Sequence, residues 1–438
     1  MWWMGHISLQ STPQCRLSCG GAIVIILTLI LALIVLEAII LAVPQESHAI
    51  PAWARKYNAD CAMCHYAAYP RLNSFGLQFR RTGYRTPNEV NKDQDIANVS
   101  NFLSGRIRTQ FAYENTKGTT ERTEFRNTEV SILYMGAISR HWSGYLHGFS
   151  ETGPNGSNTD FHGHIMGMYG NMDRFVMVKV GQSHMLFQEG IGGFDRPVAI
   201  TPPPIYTTPL TLNTTPMTFT FDQRQRGAEI DFVYGPGRLF GIIYNGLDQT
   251  GSGTTRAGDI NPGKDFIIGY DHILDEIASG FTLFYLNGNT NRTVTVTGPG
   301  QGVPTGASNG FSYSRFGLNV NKVFPLPALG FFELIGGYTR SYDNGPASAT
   351  GVANNVQGNA WYVESQQYIT GPEITFFQRF SAIDPDAAKK NSMLKFYTFG
   401  AVTPIETWLR LAAEYTYTDN RNNGVTSQVG LLELQATW

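Results

Sequence analysis

The chain has 438 residues, a net charge of −2 and only 15% charged residues, against a quarter or so in soluble domains. Glycine (47), phenylalanine (27) and tyrosine (21) are abundant. This balance excludes a basic nucleic-acid surface and fits an all-β chain, rich in turns, whose strands meet lipid on alternate residues.

The first element is a leader. Residues 20–43 are almost unbroken apolar, Arg16 precedes them and Ser47-His48-Ala49 follows. That order predicts a signal peptide over residues 1–49; an uncleaved inner-membrane anchor is the competing reading. Of the four cysteines, Cys15 and Cys19 fall in the leader, so its removal leaves only Cys61 and Cys64.

Residues 50–100 form the second element, built on Cys61-Ala62-Met63-Cys64-His65. Two thiols with an adjacent imidazole are what covalent haem c attachment requires: two thioethers to the porphyrin vinyls and one proximal ligand, His65, to the iron. A zinc half-site would need two further ligands, and neither Cys nor His occurs between Tyr66 and Arg140. The same gap leaves the iron's sixth position open, because beyond Met63 the next candidates are Met135 and His141. Either the iron is five-coordinate or another part of the chain completes it. Leu72, Phe75 and Phe79 recur at helical spacing, giving one apolar face to lie on a haem. Arg71, Arg80, Arg81 and Arg85 surround that face, as partners for haem propionates or as a solvated helix surface. A segment of this size without a disulfide is a marginal core by itself.

From residue 101 to 438 the pattern changes to period two, as in Leu432, Leu434, Ala436 and Trp438. Sixteen strands are predicted, with fourteen or eighteen as alternatives. Tight turns at 139–140, 170–172, 236, 273–277, 325–327 and 403–404 alternate with longer loops, including 152–160, 184–223 and 343–358. Short turns on one side and long loops on the other describe an outer-membrane barrel, and an even count brings both barrel ends beside the haem segment. A sixteen-stranded barrel has an aqueous lumen, which the small α-helical haem segment would plug. Loop 184–223 carries six prolines and, by analogy with general porins, would fold into the pore.

In the predicted strand 161–169, alternation puts His162, His164, Met166 and Met168 on the lumen face and Phe161, Ile165 and Tyr169 on the lipid face. Imidazole and thioether are the usual distal ligands of haem c, so His164 and Met166 are the sixth-ligand candidates, with His184 and Met185 at the loop mouth. The competing reading makes them ordinary lumen lining. Glu189, Asp195, Glu229 and Asp231 are acidic groups for a hard cation or, equally, plain porin lining.

The stretch Pro51-Ala52-Trp53-Ala54-Arg55-Lys56-Tyr57, the Cys61–His65 motif, Pro70-Arg71-Leu72-Asn73, Phe75-Gly76 and Gly83-Tyr84, followed by a barrel, resembles the outer-membrane monohaem cytochrome–porin fusions of iron-oxidising bacteria. The resemblance implies an electron-transfer protein at the cell surface. Such a protein takes electrons from extracellular ferrous iron and passes them through one haem c to a periplasmic c-type cytochrome. Cys61, Cys64 and His65 carry over; no sixth ligand does. Two other functions stay open: a conduit for another donor or for outward flow, and a diffusion porin with haem as a plug.

Overall fold

The computed structural model describes residues 52–59, 61–65, 71–153, 156–184, 198–210, 220–222, 224–246, 264–290, 311–347, 353–406, 408–421 and 423–438. The predicted leader, Met185, Glu189 and Asp195 lie outside the described residues.

Sixteen antiparallel strands close into one barrel in sequence order. They are β1 (Leu103–Thr116), β2 (Arg122–Ala137), β3 (Trp142–Gly153), β4 (Gly156–Gly170), β5 (Arg174–His184), β6 (Arg224–Tyr234), β7 (Gly237–Tyr244) and β8 (Asp265–Ile273). The second half comprises β9 (Gly280–Thr290), β10 (Phe311–Leu326), β11 (Gly330–Ala347), β12 (Ala353–Ile369), β13 (Ile374–Asp384), β14 (Leu394–Glu406), β15 (Leu409–Asn420) and β16 (Val425–Thr437). Strand β16 returns to β1 with Thr437 opposite Arg106, and Gly105 and Trp438 exchange backbone hydrogen bonds of 2.9 and 3.0 Å.

Alternation sorts the side chains as predicted. On β4, His162, His164, Met166 and Met168 are each 6% exposed or less, whereas Phe161 and Ile165 are 65% and 56% exposed. The same rule puts large apolar side chains on the outside around the barrel, from Ile107 on β1 to Leu434 on β16. Such an exterior is stable only against lipid. A closed barrel leaves no unpaired edge there, so this is an outer-membrane architecture. No helix among the described residues is long and apolar enough to cross a bilayer.

Three connections differ from the sequence reading. Strands β3 and β4 stay paired up to Gly153 and Gly156, so the loop expected at 152–160 is a hairpin. The Gly-Pro-Asn-Gly sequence there has turn chemistry, and the flanking residues extend the ladder instead of looping. Strands β11 and β12 likewise continue through an irregularity between Asn344 and Ala347. Strand β14 runs past the turn expected at Thr403-Pro404 to Glu406, with a register shift at Pro404, which lacks the N–H a regular ladder needs.

The long connection between β5 and β6 does enter the barrel. Its described parts include a short helix, α3 (Pro204–Thr207). Tyr206 is fully buried, its hydroxyl donating to Asn319 Oδ1 (2.6 Å) and lying 3.1 Å from Tyr362 Oη, which can donate to it. Thr201 N donates to Glu414 Oε2 (3.1 Å), and the Arg379 guanidinium donates to the Thr201 carbonyl (2.9 Å). Ile205, Leu210 and Phe221 share a buried cluster with Phe240 and Ile242 of β7 and Phe284 of β9. The N-terminal segment sits at the opposite, short-turn end, in helices α1 (Ala52–Tyr57) and α2 (Ser74–Arg81).

Candidate functional site

A cavity of about 180 Å³ lies where the N-terminal segment meets the barrel wall. Cys61, Cys64 and His65 all line it. Helices α1 and α2 contribute Trp53, Tyr57 and Phe79, while β1, β2 and β3 contribute Arg106, Met135 and Tyr145. Trp53 meets Phe79 edge-on (5.0 Å between centroids) and stacks on Tyr84 (4.9 Å), which gives the floor a fixed aromatic packing.

The Cys61–His65 turn is held from α2. Asn73 caps that helix through its side-chain oxygen, which accepts from Gly76 N (2.8 Å). Its amide nitrogen donates to the carbonyls of Met63 (3.1 Å) and Ala62 (3.2 Å). One side chain thus starts the helix and ties the motif to it. Gly76 faces the same turn, and a Cβ there would overlap the Cys64 carbonyl oxygen. The cap also explains why α2 starts at Ser74: Leu72 falls outside the helix, paired with His65 in an isolated β-bridge. Leu72 and Phe79 nevertheless both line the cavity.

His65 Nδ1 lies 3.0 Å from the Arg71 carbonyl. A donating Nδ1–H puts the ring's lone pair on Nε2, the tautomer a metal-ligating imidazole needs. Burial, with Cys61 nearby, pushes the Cys64 thiol up to about 11. Among the described residues no three His, Cys, Asp or Glu side chains group to hold a metal ion, so the two thiols and the imidazole border a cavity instead of converging on a point. Two thiols, a tautomer-fixed imidazole and aromatic walls form the donor set that a covalently attached haem requires.

The four arginines separate. Arg80 lines the cavity. Arg71 reaches β11, with Nη2 2.7 Å from Glu333 Oε1, and Arg81 pairs with Asp271 on β8. Arg85 donates to Ser143 Oγ (2.5 Å) and to the Ser139 carbonyl (2.9 Å); burial lowers it to about 10, still charged at neutral pH. These bonds, with Gln78 Nε2 to the Met172 carbonyl (2.6 Å) and Ser74 Oγ to the Glu276 carbonyl (2.8 Å), fasten the segment across the short-turn mouth. Glu89 anchors α1, accepting from Tyr57 Oη (2.8 Å) and pairing with Lys56 Nζ (2.8 Å). Burial works to raise the Glu89 carboxyl, but Lys56, the Thr86 amide and Tyr57 together hold it below the usual carboxylate range.

His164 and Met166 lie next to the cavity without lining it. His164 stacks on Tyr145 at 5.1 Å, and Tyr145 is itself a cavity wall. Met166 packs in the cluster that holds Phe79, Tyr84 and Met168. His184 belongs to a separate group: Arg224 Nε approaches its Nε2 at 3.2 Å, and its ring meets His162 at 5.8 Å. Glu229 and Asp231 are engaged by Lys179 (2.8 and 3.5 Å) and by Arg238 (3.3 and 3.4 Å), which balances their charge inside the barrel. Arg106 and Tyr145 are wall residues that sequence reasoning did not name. Met135 entered there only as the next sulfur after Met63, and Asn73 only within the Pro70–Gly76 pattern, although it carried a further local signal as a cap residue ahead of a helical run.

No protein-family model matches the chain, and no curated protein matches its sequence. Among solved structures, the anion-selective porin from Comamonas acidovorans is similar with a TM-score of 0.54 at 12% identity, over 77% of this chain and 98% of that one. The outer membrane channel DcaP of Acinetobacter baumannii gives 0.49 at 12% identity, over 77% and 96%. Leu103 to Thr437 therefore has the porin fold, a closed barrel of sixteen antiparallel strands.

Proposed function

We propose that the chain is an outer-membrane electron conduit. Cys61 and Cys64 would hold one haem c through thioethers and His65 would ligate its iron, so that the protein would accept electrons from extracellular ferrous iron and pass them to a periplasmic c-type cytochrome. The observation that carries this reading is that both thiols and His65 line one apolar cavity in the mouth of a closed barrel. Haem supplies one-electron chemistry when bound; the protein sets its potential through burial, axial ligation and hydrogen bonding. The Arg71 carbonyl orients His65, while Arg80 and Arg106 bring guanidinium groups to the cavity edge, the chemistry that suits propionate carboxylates. Porin-type barrels turn short on the periplasmic side, which sets the cavity at the periplasmic mouth. Iron oxidised outside leaves its ferric product outside, and the resemblance to cytochrome–porin fusions favours that donor.

The test has two stages. Haem staining of the denatured protein should be positive, and lost in Cys61→Ser/Cys64→Ser. The oxidised protein mixed with ferrous iron should then show the reduced haem band; no reduction at any pH rejects ferrous iron as donor. A haem potential well below the iron couple would favour another donor or outward flow.

A second reading is favoured by the fold alone: the likeness to an anion-selective porin supports a diffusion channel for small solutes. Single-channel conductance in planar bilayers separates the two. A steady open pore supports the channel, and a sealed lumen supports the conduit.

A further inference from the structure

We propose that Met135, on the barrel wall, supplies the sixth ligand to the haem iron; this rests on the haem reading above. Among the described residues lining the cavity, the sulfur and imidazole groups are those of Cys61, Met63, Cys64, His65 and Met135. Both thiols are consumed as thioethers, and His65 takes the proximal side. Met63 lies between the two cysteines in the same turn, Cys61–Met63, so its side chain shares the backbone that carries the proximal ligand. Met135 comes instead from β2, and alternation with Leu133, which lines the same cavity, turns it inward. Its backbone is fixed on both sides: Trp53 Nε1 donates to its carbonyl (3.2 Å), and its amide donates to the Phe102 carbonyl (3.0 Å). In register it faces Tyr145, the residue that stands between the cavity and His164. A thioether is a usual distal ligand of haem c and raises its potential relative to a second imidazole. The iron would then be held from two sides, by the N-terminal segment and by the membrane-spanning wall.

Full-length holoprotein in detergent tests this. Met135→Leu keeps volume and apolarity, so the barrel should fold as before, judged by its heat-shifted mobility on gels. It should lose the methionine-to-ferric-iron charge-transfer band and move toward a high-spin spectrum. Met135→His should give a low-spin, bis-imidazole spectrum with a lower potential. Met166→Leu and His164→Gln should leave both the band and the potential in place. An unchanged low-spin spectrum in Met135→Leu overturns the assignment, as does loss of the band in Met166→Leu or its conversion in His164→Gln. Covalent haem staining separates the two levels: stained protein with an unaltered Met135→Leu spectrum rejects this ligand alone, whereas unstained wild-type protein rejects the haem reading.

Discussion

At the scale of single residues the site depends on atoms that do two jobs. The Asn73 oxygen caps α2 while its amide nitrogen holds the motif carbonyls. Asn73→Asp keeps the cap acceptor and removes the donors, so it should leave α2 intact and loosen the Cys61–His65 turn. Asn73→Ala should lose both, with about 0.5–2 kcal/mol from the cap alone. Hydrogen exchange of the 61–65 and 74–81 amides reads the two effects separately. Wild-type protection of the 61–65 amides in Asn73→Asp would show that the amide contacts add nothing. Gly76 lacks any such graded substitute, because the smallest side chain already meets the Cys64 carbonyl.

At the scale of elements, Glu89 is one of the groups that tie α1 down, through Lys56 and Tyr57. The Glu89 carboxyl is held below its unfolded value, so its contribution is present above the ordinary carboxylate range and is lost as pH falls through the folded value. Exchange protection of the α1 amides should therefore fall on acidification below about pH 4.5, the ordinary carboxyl value. Glu89→Gln should remove that pH dependence; a wild-type profile in the variant would place the titration elsewhere. The strands were legible because period-two alternation is local, and His162 through Met168 turn inward as the pattern requires. The cavity wall was not legible in the same way. Arg106, Met135, Tyr145 and Thr437 meet only through the registers of four strands. One of those registers is shifted by an irregularity between Arg108 and Thr109 that no composition rule anticipates. Helical spacing groups Leu72 with Phe75 and Phe79, but the capping chemistry of Asn73 starts the helix at Ser74 and leaves Leu72 outside it.

At the scale of the whole molecule, the barrel is filled from two directions, by the N-terminal segment at the short-turn end and by residues 198–210 and 220–222 of the β5–β6 connection inside. Tyr206 anchors the latter with two hydroxyl contacts and an edge-on ring against Tyr362 at 5.7 Å. Tyr206→Ala removes a buried ring, a change worth about 3–5 kcal/mol in packed interiors, and should free this connection from the wall. Bilayer conductance should rise above wild type; an unchanged trace would mean that another part of the chain sets the permeability. The seam between β1 and β16 has a consequence for biogenesis. Ser104, Arg106 and Thr437 all face the cavity, so one of its walls is made of the first and last residues of the barrel sequence. A nascent chain holds the Cys61–His65 motif long before it holds that wall. On the conduit reading, the attachment machinery would meet the two thiols while the chain is still open in the periplasm, before docking of the final strand completes the cavity wall beside them. Maturation would then run in a fixed order, cofactor first and membrane insertion second, and a chain truncated at its last strand would carry the group with no finished pocket to hold it.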